Sequence, residues 1–215
     1  MKSTTGPAAY EAWYHAPRGQ WIAEREFTLL KSLLRPEAGA SLLDVGCGTG
    51  YFSRRLSRPG LSVTGIDPDP EALEFAGMQG EAVHYLQGSA LELPFPDNAF
   101  DYTTAVTSLC FVDDPIAALQ EMWRVTRRAC VLGLLNRHSL LYRRKKGQGS
   151  YSGARWDTPG EVLKTWVPVL APTPGEIILR SAVFLPQGSL IARWCEQLTP
   201  NTLLLGGFLA VGLRK

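Results

Sequence analysis

The segment Leu42-Leu43-Asp44-Val45-Gly46-Cys47-Gly48-Thr49-Gly50-Tyr51-Phe52 passes from a short apolar run into three glycines spaced two apart. A strand that turns on glycines into a helix lets the backbone approach a ligand closely and sets that ligand at a helix N-terminus, as in doubly wound sheets. Two details narrow the ligand. In the dinucleotide fingerprint the last glycine falls three positions after the second, which here is Tyr51, whereas the third glycine of this loop is Gly50. Asp44 also puts a carboxylate where a pyrophosphate needs to lie. Both features oppose a nicotinamide oxidoreductase and favour a ligand that carries an ammonium group.

Outward from the loop, Asp67 closes Thr64-Gly65-Ile66-Asp67, 21 residues after Gly46, where an acid binds ribose hydroxyls. Asp69 is better placed than Asp67 to cap the following helix. An adenosine joined to an amino acid satisfies both acids, and S-adenosylmethionine has that form.

The flanking sequence alternates strands and helices. Ile22 to Leu34 has helical apolar spacing and ends at Pro36 and Gly39. Strands are predicted at Ser41 to Val45, Ser62 to Ile66, Val83 to Leu86, Phe100 to Val106 and Ala129 to Leu135. Tyr51 to Ser57 reads as a short helix. Asp69-Pro70 and Asp114-Pro115 supply an N-cap and a first helical residue for two more. Arg127 and Arg128 suit the negative C-terminal end of the second. Leu140 to Asp157 is basic and glycine-rich and reads as a loop; Thr158-Pro159-Gly160-Glu161 has capping-box spacing. Ile177 to Phe184 and Leu203 to Leu213 are two closing strands, with a short helix at Ile191 to Leu198 between them. The expectation is an α/β doubly wound sheet, mostly parallel, with an antiparallel C-terminal edge pair. One domain divides into a helical lid (1–40), a cofactor-binding core (41–136), a substrate-side insert (137–175) and closing strands (176–215).

With 215 residues, 22 Lys+Arg and 20 Asp+Glu, the net charge is +2, too balanced for a general nucleic-acid coat. The 45% hydrophobic fraction suits a packed core and argues against disorder. The most apolar run, Leu203 to Leu213, is interrupted by glycines and falls short of the ~20 residues of a membrane helix. No span is expected, and no secretory signal core is seen between Met1 and Tyr14. Cys47, Cys110, Cys130 and Cys195 form no C-x-x-C pair, so no metal site is expected and a reducing, cytoplasmic setting fits.

The chain resembles class I S-adenosylmethionine-dependent methyltransferases of the type 11, ubiquinone-biosynthesis-like group. The resemblance rests on Leu43 to Gly50, Gly65-Ile66-Asp67, Gln87 to Phe95 and Phe100-Asp101, in order and spacing over about Leu42 to Asn136. It implies a Rossmann-like sheet, S-adenosylmethionine as cofactor and S-adenosylhomocysteine as product. It also implies Asp44 and the Gly46, Cys47, Gly48 and Gly50 loop at the methionine end, with Asp67 and Pro68 at the ribose. Ser89, Ala90 and Leu91 would lie along the adenine, serine standing where the family often has aspartate. Thr107 would sit beside the methionine. Tyr10 and Tyr14 would close over the cofactor, with Arg18 able to meet its carboxylate.

Methyl transfer asks chiefly for alignment in a dry site, with a base only where the acceptor must lose a proton. His138, after the fifth strand, is the base candidate; His15 ranks below it, and His84 reads as structural. The Arg143 to Lys146 run either holds an anionic acceptor or is a solvated helix end. Strand four runs into Thr107-Ser108-Leu109-Cys110 and lacks the Asn/Asp-Pro-Pro-aromatic motif of many DNA and RNA methylating enzymes. A small organic acceptor is therefore expected and DNA is not, with a monomer or homodimer. Alternatives are a catalytically silent cofactor-binding or regulatory module, and an RNA or protein methyltransferase.

Overall fold

The computed structural model describes residues 6–58, 60–80 and 82–215. Two helices, α1 (Pro7–His15) and α2 (Pro17–Leu34), lead into β1 (Ser41–Val45), α3 (Tyr51–Ser57), β2 (Ser62–Asp67), α4 (Pro70–Met78), β3 (Val83–Gln87), β4 (Phe100–Val106), α5 (Pro115–Val125) and β5 (Thr126–Leu135). Then follow α6 (Leu140–Lys145), α7 (Pro159–Glu161), β6 (Glu176–Ala182), α8 (Leu190–Leu198) and β7 (Phe208–Arg214). The seven strands lie in the order β3-β2-β1-β4-β5-β7-β6. The first five are parallel, and β7 runs antiparallel to both β5 and β6. This is the doubly wound sheet with its antiparallel closing pair.

Helices cover both faces, so alternate strand residues enter two cores. Leu42 packs with Leu30, Leu34 and Phe52 on the α2/α3 side, while Leu43 packs with Met122 and Trp123 on the α5 side. Both leucines are fully buried, each contributing about 1.5–3 kcal/mol. Asp69 and Asp114 cap α4 and α5 through the backbone N–H groups two and three residues on.

Three expectations need correction. Arg127 and Arg128 do not end a helix: α5 passes directly into β5 at Thr126, whose hydroxyl donates to the Met122 carbonyl at 2.6 Å. The two arginines instead pair with Asp101 at the foot of β4, at 2.8 and 3.3 Å. The basic stretch contains α6, capped by Ser139, and is not all loop. The last strand starts at Phe208, not Leu203, because Gly206 passes against Ala182, where a Cβ would lie 2.2 Å from its carbonyl oxygen. The capping box forms at Thr158 and Glu161, but the helix widens into a π turn over Val162–Trp166. Pro168, lacking an N–H, cannot bond back to the preceding turn.

Candidate active site

The order reverses between β1 and β4, so a crevice opens above the carboxyl ends of the strands. A cavity of about 1180 Å³ occupies it. Its floor on one side is the β1–α3 loop. Gly46 and Gly50 adopt φ of +72° and +74°, which side chains other than glycine's rarely tolerate. Neither has room for a side chain: a Cβ at Gly46 would lie 2.3 Å from Ser108 Cβ, and one at Gly50 would lie 2.1 Å from Tyr85 Oη. The Ser108 hydroxyl donates to the Val45 carbonyl at 2.7 Å, tying the loop after β4 to the end of β1.

Asp44 is 2% exposed and lines the cavity. Its carboxylate accepts from Ser53 Oγ at 2.6 Å and from Thr104 Oγ1 at 2.9 Å. Burial lifts its pKa to about 6, with the Asp67 charge adding to the rise and the two hydroxyl bonds opposing it. Two buried carboxylates facing one cavity make a strongly negative wall suited to a cation. Asp67 accepts the Gly48 N–H at 2.8 Å on one oxygen and the Asp69 N–H at 2.9 Å on the other. The carboxylate is thereby locked at the cavity edge with lone pairs left for hydroxyl donors.

The raised Asp44 value has a measurable consequence. Below about pH 6 the empty carboxyl is protonated, and a cationic amino group must displace that proton. S-adenosylhomocysteine affinity is expected to be flat above pH 7 and to fall toward tenfold per pH unit below 6, with Asp44→Asn flattening the profile; calorimetry from pH 5 to 8 checks this.

Across the loop lies α1. Glu11, 6% exposed, accepts from Thr49 Oγ1 at 2.6 Å and pairs with Arg54, whose Nη1 donates to the Thr49 carbonyl at 2.6 Å. Tyr14 stacks on Tyr51 with ring centroids 3.9 Å apart and shares a 3.1 Å hydroxyl contact with Tyr10. Thr107 holds φ +50° and donates its N–H to Gly133; Val183 holds φ +65°. Both are β-branched, both line the cavity, and strained backbone of this kind gathers at functional sites.

The cavity brings together Asp44, Gly46, Cys47, Gly48, Asp67, Pro68, Ser89, Ala90, Leu91, Thr107, Tyr10, Tyr14 and Arg18. Gly50 lies behind the wall against Tyr85, and His138 is exposed and outside it. After Leu135 the chain buries Asn136, which donates to the Leu204 and Gly206 carbonyls, and the next two residues turn out to solvent. Ser89 Oγ accepts the Leu91 N–H at 3.1 Å. Arg18 Nε donates to the Pro186 carbonyl at 2.6 Å, on the cavity wall. Burial, then the Asp44 and Asp67 charges, push the Cys47 thiol far up, so it is no nucleophile. Of the basic run, Lys145 reaches the cavity. Sequence reasoning missed Glu11, Thr49 and Arg54, and also Glu26, which lines the far wall. Glu26 had a signal: it interrupts the apolar stripe of α2 between Ile22 and Leu29. Among the described residues no group of three His, Cys, Asp or Glu is placed to hold a metal ion, and no helix is long and apolar enough to cross a membrane.

Residues 43–132 match the family model described as a methyltransferase domain. Over 212 residues the chain is 33% identical to an uncharacterised protein of Mycobacterium bovis, covering 95% of this chain and 70% of that one. A solved structure from Thermotoga maritima, titled a SAM-dependent methyltransferase and possible histamine N-methyltransferase, superposes with a TM-score of 0.74 at 26% identity, covering 97% of this chain and 95% of that one. The chain belongs to the S-adenosylmethionine-dependent methyltransferases. A malonyl-[acyl-carrier protein] O-methyltransferase of Serratia marcescens is 43% identical over 94 residues, which is 44% of this chain but 37% of that protein. The family's cofactor is S-adenosylmethionine, and the donor set fits it: a carboxylate for an ammonium, a second for ribose hydroxyls, and a glycine loop between them.

Proposed function

We propose that the protein is a cytoplasmic enzyme that transfers the methyl group of S-adenosylmethionine directly to a small organic acceptor. The observation that carries this is the extent of the cavity. At about 1180 Å³ it exceeds the roughly 300–1,000 Å³ of a typical small-molecule pocket. It runs from the two acids over β1 and β2 to a second region beyond Thr107, over the ends of β5 and β7, where Leu135 and Phe208 lie. Such a cavity has room for a cofactor and an acceptor side by side.

When bound, S-adenosylmethionine supplies a methyl group on a positively charged sulfur. The chain's residues then have three tasks. Asp44, held by Ser53 and Thr104, binds the ammonium end, and Asp67 binds the ribose through two hydroxyls. The glycine loop lets the backbone close on the methionine portion. Tyr10, Trp13 and Tyr14, latched through Glu11, exclude water and align the two reactants, which supplies most of the acceleration such a reaction needs. The four free cysteines suit a reducing compartment.

The test is calorimetry with S-adenosylmethionine and S-adenosylhomocysteine, followed by transfer of a labelled methyl group to a panel of small amines, acids and alcohols. Binding and transfer are expected. Failure to bind either cofactor form sinks the reading; binding with no transfer to any acceptor points to a regulatory module.

A further inference from the structure

Helix α2 buries Ile22, Ala23, Leu29, Leu30 and Leu33 against β5, β6 and β7. Glu26 stands four residues after Ile22 and three before Leu29, on that same stripe, and lines the cavity. Around that end of the sheet Phe208 pairs with Leu135 on one side and Ala182 on the other, and Val183 follows. This is the acceptor half, away from Asp44 and Asp67. Among the described residues, no hydrogen bond or ion pair engages the Glu26 carboxyl. Of the cations on its own helix, Arg18 directs its Nε to Pro186, and Arg25 and Lys31 do not line the cavity. Tyr10 and Tyr14 on α1 and Tyr151 beyond α6 complete an aromatic wall.

Resting on the reading above, we propose that Glu26 is the catalytic base of the acceptor half and that the acceptor is a small amine. Among the described residues, neither Arg18 nor Lys145, the cations that line the cavity, pairs with the Glu26 carboxyl, and an ammonium group supplies the missing partner. Tyrosine faces add cation–π attraction. Only an ammonium group gains an ion pair by displacing the Glu26 proton; an alcohol or a carboxylate acceptor gains at most a hydrogen bond to the neutral carboxyl. The amine binds as its ammonium form and passes one proton to the Glu26 carboxylate. The freed nitrogen lone pair then forms the N–C bond as the S–C bond breaks, that electron pair staying on sulfur. The products are the N-methylated ammonium ion, S-adenosylhomocysteine and a proton, which Glu26 returns to water.

The environment suits this exchange. Burial lifts the Glu26 pKa to about 8, closer to an alkylammonium than an ordinary carboxyl, so the proton moves at less cost. Tyr10, Tyr14 and Tyr151 are all raised, by burial first and by the Glu26 charge among the lesser causes. The other groups facing this region are Arg18, Lys145 and Cys110, the last one's thiol pushed by burial to about 12. At pH 7 the empty Glu26 is therefore neutral, and pairing with an ammonium releases its proton.

The test uses protein saturated with S-adenosylhomocysteine and two matched sets: phenethylamine, 2-phenylethanol and 3-phenylpropanoic acid, and hexylamine, hexanol and hexanoic acid. Calorimetry at pH 7 in buffers of different ionisation enthalpy reads affinity and proton release together. An amine is expected to bind at least tenfold tighter than its alcohol and acid partners, releasing close to one proton. Glu26→Gln should abolish the release, weaken amine binding at least tenfold and lower methyl transfer by about 10²–10⁴-fold. S-adenosylhomocysteine affinity should stay within twofold in that variant, which also shows that it is folded. The inference is overturned if acids or alcohols bind as well as amines, if no amine binds, or if Glu26→Gln transfers methyl at the wild-type rate. Loss of S-adenosylhomocysteine binding by the wild type would instead overturn the methyltransferase reading itself.

Discussion

Asp67→Ala is expected to weaken S-adenosylhomocysteine binding by about 10²–10⁴-fold, since hydrogen bonds to a charged group contribute roughly 1.5–3 kcal/mol each and a ribose offers two hydroxyls. The carboxylate also holds the loop, accepting the Gly48 and Asp69 N–H groups at 2.8 and 2.9 Å. Removing it leaves both donors to water and lets Gly48 move. Asp67→Asn keeps one acceptor oxygen and loses the charge, so its loss should be smaller, on the order of tenfold. Calorimetry on variants shown to be folded by thermal melting reads the difference. Wild-type affinity in Asp67→Ala would remove this residue from the cofactor site.

Gly46→Ala should damage stability and binding together. Its φ of +72° costs an L residue roughly 1–2 kcal/mol. The added Cβ would lie 2.3 Å from Ser108 Cβ, forcing apart the loops after β1 and β4. Overpacking of that kind costs about 1–3 kcal/mol more. For a chain of this size the sum lowers the melting temperature by roughly 5–20 °C. The same displacement breaks the Ser108 bond to the Val45 carbonyl, so cofactor affinity should fall at least tenfold. Gly48→Ala is the control: its φ is +52°, but a Cβ there meets nothing within 4 Å. That variant should carry only the backbone cost, and its melt should lie well above that of Gly46→Ala.

The features readable from sequence share a local cause. The bounds of β1, α3 and β4 emerge as expected because each is defined by its own apolar pattern and a neighbouring glycine or cap. Asp69 and Asp114 cap as their Asp-Pro context predicts. What was not legible depends on partners distant in sequence. Arg127 and Arg128 look like helix-end charges until Asp101, 26 and 27 residues earlier, is seen beside them. The late start of β7 follows from contact of Gly206 with Ala182. His138 stands at the carboxyl edge of β5 in sequence, but Asn136 buries its own side chain and turns the next residues outward. Glu26 belongs to no motif, and only the sheet's end and α1 make its surroundings a cavity wall.

The division of that cavity has a consequence for how the protein can diversify. The wall bearing the glycine loop and the two acids comes from one contiguous stretch, Asp44 to Ser108, while the other walls come from α1, α2, the segment around Tyr151 and the turns flanking β6 and β7. The two sets touch where Glu11 meets Thr49 and Arg54 and where Tyr14 stacks on Tyr51, and a substitution away from those contacts need not cross from one to the other. Descendants of such a chain can therefore exchange acceptors by drift in the outer segments while the middle stays under constraint, and a graft of 1–34, 137–157 and 176–215 from one relative onto the centre of another is a route to altered specificity provided Glu11 and Tyr14 keep their partners.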